Sequence, residues 1–393
     1  MYPPDVSGAG NFGHRLATGL AERGHDVHVI CHSQDRNSVT TVEDGVTVHR
    51  VGSYGNPVHP TFRINAPWQA SAAADQLLAE IQPDVVHVQS HFYIGRALIN
   101  AARKRDIALV ATNHFMPENI FGYLHLPRLF QPAASRVLWR NLIKHYGKAQ
   151  MVTAPTPRAV QLLQDNGFTH RALPVSCGMD VERYRRRARQ FRKHNPDPKT
   201  RTVLFVGRLD EEKHIDDLLR AMSLLRTKAA TRLEIVGDGS RRAAFEQLAV
   251  ELGIADRVHF AGFVSDEELL DAYARADVFC MPSIAELQSL ATMEAMSAGT
   301  PVVLANAMAL PHLVESGQNG RLYPPRDVHA LANAIDEIIS DRETIDRMGA
   351  ASERLVSKHD INVVLGRFEA IYRHVMDPEQ RLELEEVHAE LAS

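Results

Sequence analysis

Short apolar runs alternate with helical patterns along almost the whole chain, and this alternation constrains the fold more than any other feature. The runs include Val27–Cys31, Val85–Gln89, Ala108–Thr112, Met151–Ala154, Val203–Gly207, Leu233–Gly237, Val278–Met281 and Pro301–Leu304. Between them lie helical patterns such as Asn11–Arg23, Ile94–Arg105, Ile215–Leu225, Arg241–Leu252 and Ala330–Ile339. Strands that read as continuous apolar runs are buried on both faces, and alternation with helices implies parallel sheets. A chain of 393 residues exceeds one ordinary core, so two α/β domains are expected. The segment 183–200 is rich in arginine and ends in Asn195-Pro196-Asp197-Pro198, as a linker would. The expected organisation is a Rossmann-like domain over 1–182, this linker, and a second Rossmann-like domain over 201–361. A C-terminal helix over about 362–393 is expected to pack back on the first domain, its part beyond Pro378 acidic. Ligands of parallel sheets gather beyond the carboxyl ends of the strands, so two facing sheets place the site in the cleft between them.

The totals exclude several classes. A net charge of −4 argues against general nucleic-acid binding. Cys31, Cys177 and Cys280 are widely spaced and form neither a C-x-x-C pair nor a zinc pattern, which fits a reducing cytosol. No apolar run is long enough to span a bilayer, and Met1–Asp5 lacks the layout of a secretory signal.

The chemistry concentrates in a few strand ends. Glu286 and Glu294 lie eight residues apart. The first is expected where a loop passes into a helix, the second about two turns on, on roughly the same face. A helix start suits a phosphate group, and ionised carboxylates suit hydroxyl-rich ligands; together they describe a nucleotide-sugar. The helix around Glu294 is nearly all apolar or small, so that carboxylate needs a partner. A glutamate pair facing water is the plainer alternative. Gly207-Arg208-Leu209-Asp210-Glu211-Glu212-Lys213 follows a strand, where Arg208 and Lys213 are placed to grip a diphosphate. Pro3–Phe12 reads as a small-residue loop opening a helix, with Gly8 letting backbone N–H groups approach phosphate. The strand expected before that loop is missing from the chain, which starts at Met1. His114 stands at the carboxyl end of Ala108–Thr112, where it could bond a donor sugar or a reacting hydroxyl.

From Phe121 to Gln164 there is no Asp or Glu. Arg136, Arg140, Lys144 and Lys148 recur every four residues beside Trp139, Leu142, Ile143 and Tyr146. A basic stripe next to an apolar one suits an anionic membrane surface; a helix packed on its own domain with a solvated basic edge is the alternative.

These residues resemble the retaining glycosyltransferases of family 4, which have the GT-B fold. The resemblance covers nearly the whole chain. It rests on G-R-L-x-x-E-K from Gly207 to Lys213 and on E-x7-E-A-M-x-x-G-x-P-V-V from Glu286 to Val303. Gly262-Phe263-Val264-Ser265-Asp266-Glu267-Glu268-Leu269 is similar to the stretch of that family beside the nucleotide base. The resemblance implies that Arg208 and Lys213 hold the donor diphosphate and stabilise it as it leaves. It implies that Glu294 holds the ribose hydroxyls, Glu286 the donor sugar, and the N–H groups of Ser289 and Leu290 the phosphates. Gly8 would belong to the N-terminal glycine loop, Phe263 and Val264 to the donor site, and His114 to the position reaching the sugar. No cofactor and no metal is implied beyond the nucleotide-sugar, UDP- or GDP-linked.

The chain departs from the family pattern at Leu287, where glycine is usual, and at His214, where glycine also is usual. Gln288, the run from His114 to Asn119, and Cys177 where asparagine is commoner resemble the branch that glycosylates diacylglycerol lipids. The expectation is therefore a hexosyltransferase acting on a hydroxyl acceptor such as a membrane lipid, cytoplasmic and peripheral on the membrane. Alternatives are a nucleotide-sugar epimerase of the same fold and a degenerate nucleotide-sugar-binding protein. A dinucleotide reader is a third: Gly8-Ala9-Gly10-Asn11-Phe12-Gly13 matches G-x-G-x-x-G, with no strand before it.

Overall fold

Six parallel strands form one sheet, in the spatial order Val258–Gly262, Thr231–Val236, Arg201–Val206, Val278–Met281, Val302–Ala305, Gly320–Tyr323. Numbered along the chain, that order is third, second, first, fourth, fifth, sixth: the doubly wound Rossmann arrangement. Val203, Leu204, Val278, Phe279, Val302 and Val303 are all 0% exposed, which is why these runs are apolar without alternation. The order reverses between Arg201–Val206 and Val278–Met281, which pair through Val203 and Leu204 against Val278 and Phe279. Loops beyond the carboxyl ends of these two strands flank the crevice such a reversal creates.

The computed structural model describes residues 2–5, 8–56, 63–121, 127, 129–194, 200–226, 231–377 and 379. The chain forms two compact units, Met1–Gly178 with Ile361–Ser393, and Met179–Asp360. The six-stranded sheet belongs to the second.

The stretch expected as a linker is structured over most of its length. Val181–His194 is a helix of the second unit. Val181, Tyr184, Ala188 and Phe191 form its inward stripe against the core of that unit. Its arginines are taken up there too. Arg187 Nε lies 2.6 Å from Asp271, Arg183 Nη2 3.2 Å from Asp266 and Arg185 Nε 3.3 Å from Glu353. Arg192 donates to the carbonyls of Ala298 and Gly299, at the carboxyl end of helix Leu290–Ser297. The polarity that suggests a linker serves helix docking instead. Residues 195–199 lie outside the described residues.

In the first unit, Val85–Val88, Ala108–Thr112, Met151–Ala154 and Ala172–Pro174 form a four-stranded parallel sheet in that order. A second sheet holds His28–His32 parallel to Val46–Val51, with Val39–Glu43 antiparallel on the far side. That hairpin departs from the all-parallel expectation. It turns at Asp44-Gly45, with φ of 50° and 77°, the left-handed pair that tight hairpins require. Helix Ile361–Met376 packs in this unit, on Gly8–Glu22 and on strand Ala108–Thr112. Phe368 is buried 5.7 Å from the Phe12 ring, and Arg23 reaches Glu369 at 2.8 Å. The expected acidic end of this helix, over 380–393, lies outside the described residues.

Candidate functional site

The loop after Arg201–Val206 is shaped by close backbone packing. Leu209 is 0% exposed and anchors it. Gly207 N–H donates to the Val236 carbonyl at 3.0 Å, Leu209 N–H to Asp238 at 3.0 Å, and Arg241 N–H to Leu209 at 2.9 Å. A Cβ on Gly237 would fall 2.0 Å from the Gly207 oxygen, and one on Gly239 2.6 Å from the Leu209 nitrogen. Only glycine permits this crossing. The segment Gly237-Asp238-Gly239-Ser240 is thus part of the site's scaffold, and Ser240 Oγ donates to Asp210 at 3.1 Å. Sequence reasoning passed over it, although two glycines around an aspartate directly after a buried strand are a readable signal.

Arg208, exposed at the head of this loop, pairs with Asp210 and, at 3.1 Å, with Glu212. Lys213 ends the loop, and its Nζ lies 2.5 Å from Glu286 Oε1. The two side chains are 14% and 13% exposed, so this ion pair is poorly screened by water. The backbone reinforces it. Ile284 N–H donates to the Glu212 carbonyl at 3.2 Å, and Ser283 Oγ to the same oxygen at 3.4 Å. The two sequence motifs, more than seventy positions apart, therefore meet at the reversal of the sheet.

One expectation about the glutamates changes and one is met. Helix Leu290–Ser297 starts after Glu286, which lies in the preceding loop; the eight-residue spacing therefore places only Glu294 on a helix. Ser289 is buried and caps that helix, its side chain accepting from Thr292 N–H. Leu290 is the first helical residue. Glu294 is half-buried and finds its partner in Tyr273, whose hydroxyl donates to Oε2 at 2.6 Å. Burial first, and then the Glu294 charge, hold the Tyr273 hydroxyl protonated far above its ordinary range. Tyr273 is a second residue that the sequence reading missed.

The two departures from glycine resolve differently. Leu287 is not among the positive-φ residues, so the loop at this point makes no demand that leucine fails to meet. His214 does take the left-handed conformation, at φ 48° and ψ 41°. That shape costs a non-glycine residue about 1–2 kcal/mol, and Arg326 Nη1 holds the ring at 2.7 Å from Nδ1. On the edge strand side, Phe263 is 81% exposed just after Val258–Gly262, with Val264 half-buried beside it. Ser265 and Glu268 form a capping box that starts helix Asp266–Arg275 directly behind them.

The remaining two candidates belong to the first unit. Gly8 is the first residue of helix Gly8–Glu22, so Gly8 and Gly10 lie within the helix rather than in the loop expected for them. Val6 and Ser7 fall outside the described residues. His114 stands past the end of Ala108–Thr112, as expected. Its Nε2 is 2.8 Å from Gln89 Oε1, its Nδ1 is 3.8 Å from Cys177 Sγ, and Phe12 packs on its ring at 5.0 Å. Burial lowers its pKa to about 4, so it is neutral at physiological pH and acts as a hydrogen-bonding group rather than a cation. Burial also pushes the Cys177 thiol up to about 12, which removes it as a nucleophile.

The basic segment forms helix Gln131–Tyr146. Trp139, Leu142 and Tyr146 are buried within the unit. Arg136, Arg140 and Lys144 are exposed, together with Phe130 and Val137 at 57% and 64%. Lys148 lies beyond the helix and donates to Asn100 at 2.8 Å. Residues 122–126 and 128 of this stretch lie outside the described residues. Among the described residues no helix is long and apolar enough to cross a membrane, and no cluster of His, Cys, Asp or Glu could hold a metal ion.

Comparison with known proteins shows the family. Residues 186–355 match the family of group 1 glycosyl transferases, and residues 6–183 match glycosyltransferase family 4. A GDP-mannose-dependent alpha-mannosyltransferase of Mycobacterium tuberculosis is 30% identical over 382 residues, covering 94% of each chain. An alpha-monoglucosyldiacylglycerol synthase of Streptococcus pneumoniae is 26% identical, covering 86% of this chain and 76% of its own. An Anabaena protein, HepE, solved with UDP-glucose, superposes with a TM-score of 0.71 at 20% identity, covering 94% of this chain and 97% of its own. The chain belongs to the family 4 glycosyltransferases and has their GT-B fold of two Rossmann-like domains.

Proposed function

We propose that this enzyme moves a hexose from a UDP- or GDP-sugar to a hydroxyl acceptor, with retention at the anomeric carbon. The observation that carries this reading is the Lys213–Glu286 pair at the reversal of the six-stranded sheet, with Arg208 beside it on the same loop. Lys213 and Arg208 hold the diphosphate; as the glycosidic bond breaks, they stabilise the charge that builds on the leaving oxygen. Glu286 accepts from hydroxyls of the sugar, and Glu294 from those of the ribose. The N–H groups of Ser289 and Leu290 bond the phosphates, and Phe263 and Val264 flank the base. Gly8, at the start of helix Gly8–Glu22, is the proposed backbone contact of the first unit to the donor, and His114 bonds the sugar as a neutral imidazole. The departing diphosphate takes the proton of the acceptor hydroxyl, which attacks on the same face. The charge stabilisation needed comes from these side chains, with no metal ion.

The acceptor class proposed is a lipid alcohol such as diacylglycerol, reached at the cytoplasmic face of a membrane. Two observations support it. Helix Gln131–Tyr146 exposes Arg136, Arg140 and Lys144 beside Phe130 and Val137, a face suited to anionic lipid. The relative from Streptococcus pneumoniae is named for a diacylglycerol product. The test is nucleoside diphosphate release from UDP-glucose, UDP-galactose and GDP-mannose, on anionic vesicles with and without diacylglycerol. Release from at least one donor, raised by diacylglycerol, is expected. Changing Arg136, Arg140 and Lys144 together to Ser should cut vesicle binding in a salt-sensitive way. Release from none of the donors overturns the transferase reading; release indifferent to diacylglycerol overturns the lipid acceptor.

A further inference from the structure

A chain of side chains runs from His114 into the first unit. His87 and Gln89 are two apart at the end of strand Val85–Val88, and Thr112 and His114 are two apart at the end of Ala108–Thr112. The period of a strand puts each pair on one face. The strands are parallel neighbours, with His87 opposite Val110 and Val88 opposite Ala111. Gln89 Oε1 is 2.8 Å from His114 Nε2, and its Nε2 is 3.2 Å from His87 Nε2. His87 Nδ1 lies 2.7 Å from the Tyr372 hydroxyl, on the helix that returns from the far end of the sequence. His87 Nε2 lies 2.6 Å from Thr112 Oγ1, which in turn meets Thr153 Oγ1 at 2.6 Å.

We infer that Gln89 is a positioning residue for the transfer reaction: its carbonyl oxygen fixes His114 as the Nε2–H tautomer and presents the Nδ1 lone pair as an acceptor. The logic is one of valence. An amide oxygen only accepts, so the proton of a neutral His114 must sit on Nε2, and Nδ1 is left with a lone pair. Among the described residues Nδ1 meets the weak thiol donor of Cys177 at 3.8 Å, a contact that a substrate hydroxyl can displace. The ligand group that suits His114 is therefore a hydroxyl donating a hydrogen bond. His87, itself held by the Tyr372 hydroxyl, meets Gln89 from behind, so helix Ile361–Met376 supports the residue that orients His114. This inference rests on the role proposed above for His114.

The charged and titratable groups that act on His114 are the N-terminal amino group, whose charge adds to burial in lowering its pKa, His87 on the neighbouring strand, and Cys177 beyond Ala172–Pro174, with Arg15 of helix Gly8–Glu22 acting on Cys177. None is a carboxylate, so introducing one changes the local charge balance.

The test uses the full chain labelled with nitrogen-15 and read by imidazole spectra, with His114→Gln assigning the signals. The wild-type His114 should stay neutral and Nε2-protonated from about pH 5.5 to 8. Gln89→Glu, nearly isosteric, should raise its titration into that window. Turnover should then lose activity on the acid side, because an imidazolium has no acceptor nitrogen. Gln89→Leu should lower kcat roughly tenfold with donor KM nearly unchanged. A wild-type His114 protonated on Nδ1, or a flat pH profile in Gln89→Glu, overturns the inference. Absence of any donor turnover in the wild type defeats the functional reading instead, while the spectra still decide the tautomer.

Discussion

The two units solve the same architectural problem with opposite electrostatics. At the strand ends of the second unit the side chains are ionic: Arg208 with Glu212, and Lys213 with Glu286. At the strand ends of the first they are neutral and chained: His114, Gln89, His87 and Tyr372. The first kind would suit a highly charged group such as the proposed diphosphate, and Lys213, a cation at low exposure, loses little to screening. The second would suit hydroxyls, where directionality matters and charge does not. On the roles proposed above, one α/β scaffold hosts two recognition chemistries, set by a few residues just past the strands.

Acid should separate the units most strongly. Burial lowers His87 and His91 to about 3 and His114 to about 4, from an ordinary 6.5. The unfolded chain then binds more protons than the folded one below pH 6.5. Stability is complete above that value and drains as pH falls toward 4. Lowering one such pKa by a single pH unit is worth about 1.4 kcal/mol, so the loss in the first unit amounts to several kcal/mol. The second unit's His312, lowered to about 4 by burial, contributes a smaller share. Hydrogen exchange resolved by segment between pH 7 and 4.5 should show the first unit opening earlier; simultaneous opening would break the contrast.

Lys213→Met attacks the ionic side. It should lower kcat/KM by about 10²–10³ and depress Tm, because Glu286 is left buried without a partner. Adding Glu286→Gln should recover Tm and leave turnover low. If turnover returns with Tm, the lysine serves folding alone. A smaller effect is expected at Glu294. Glu294→Gln should weaken nucleoside diphosphate binding about tenfold by calorimetry, with Tm little changed because Tyr273 can still donate to the amide oxygen.

Much of this is readable in the residues alone. Strands Val278–Met281 and Val302–Ala305 are buried throughout and carry no polar residue to blur the pattern, and the two motifs fall beside the sheet as expected. The misreadings share a cause. Val181–His194 resembles a linker because its arginines dominate its composition, yet their partners, Asp266, Asp271 and Glu353, lie far along the chain. Gly8 resembles a loop residue because glycine marks turns, while packing of Phe12 and Leu16 inside the unit carries the helix back to it. Spacing suggests that Glu286 and Glu294 share a helix face, but a spacing does not reveal where the helix begins.

The order of apolar runs determined a doubly wound α/β chain, because burial on both faces of a parallel sheet demands it. The two motifs pointed to a family of transferases through their resemblance to its pattern, and a 30% identical relative shows that family. Which side chains hold one another was decided only in three dimensions: Lys213 with Glu286, Tyr273 with Glu294, and Tyr372 through His87 with the neighbourhood of His114. Hydrogen bonds and ion pairs act over about 3 Å, and no local pattern records which distant residue the fold will bring within that reach.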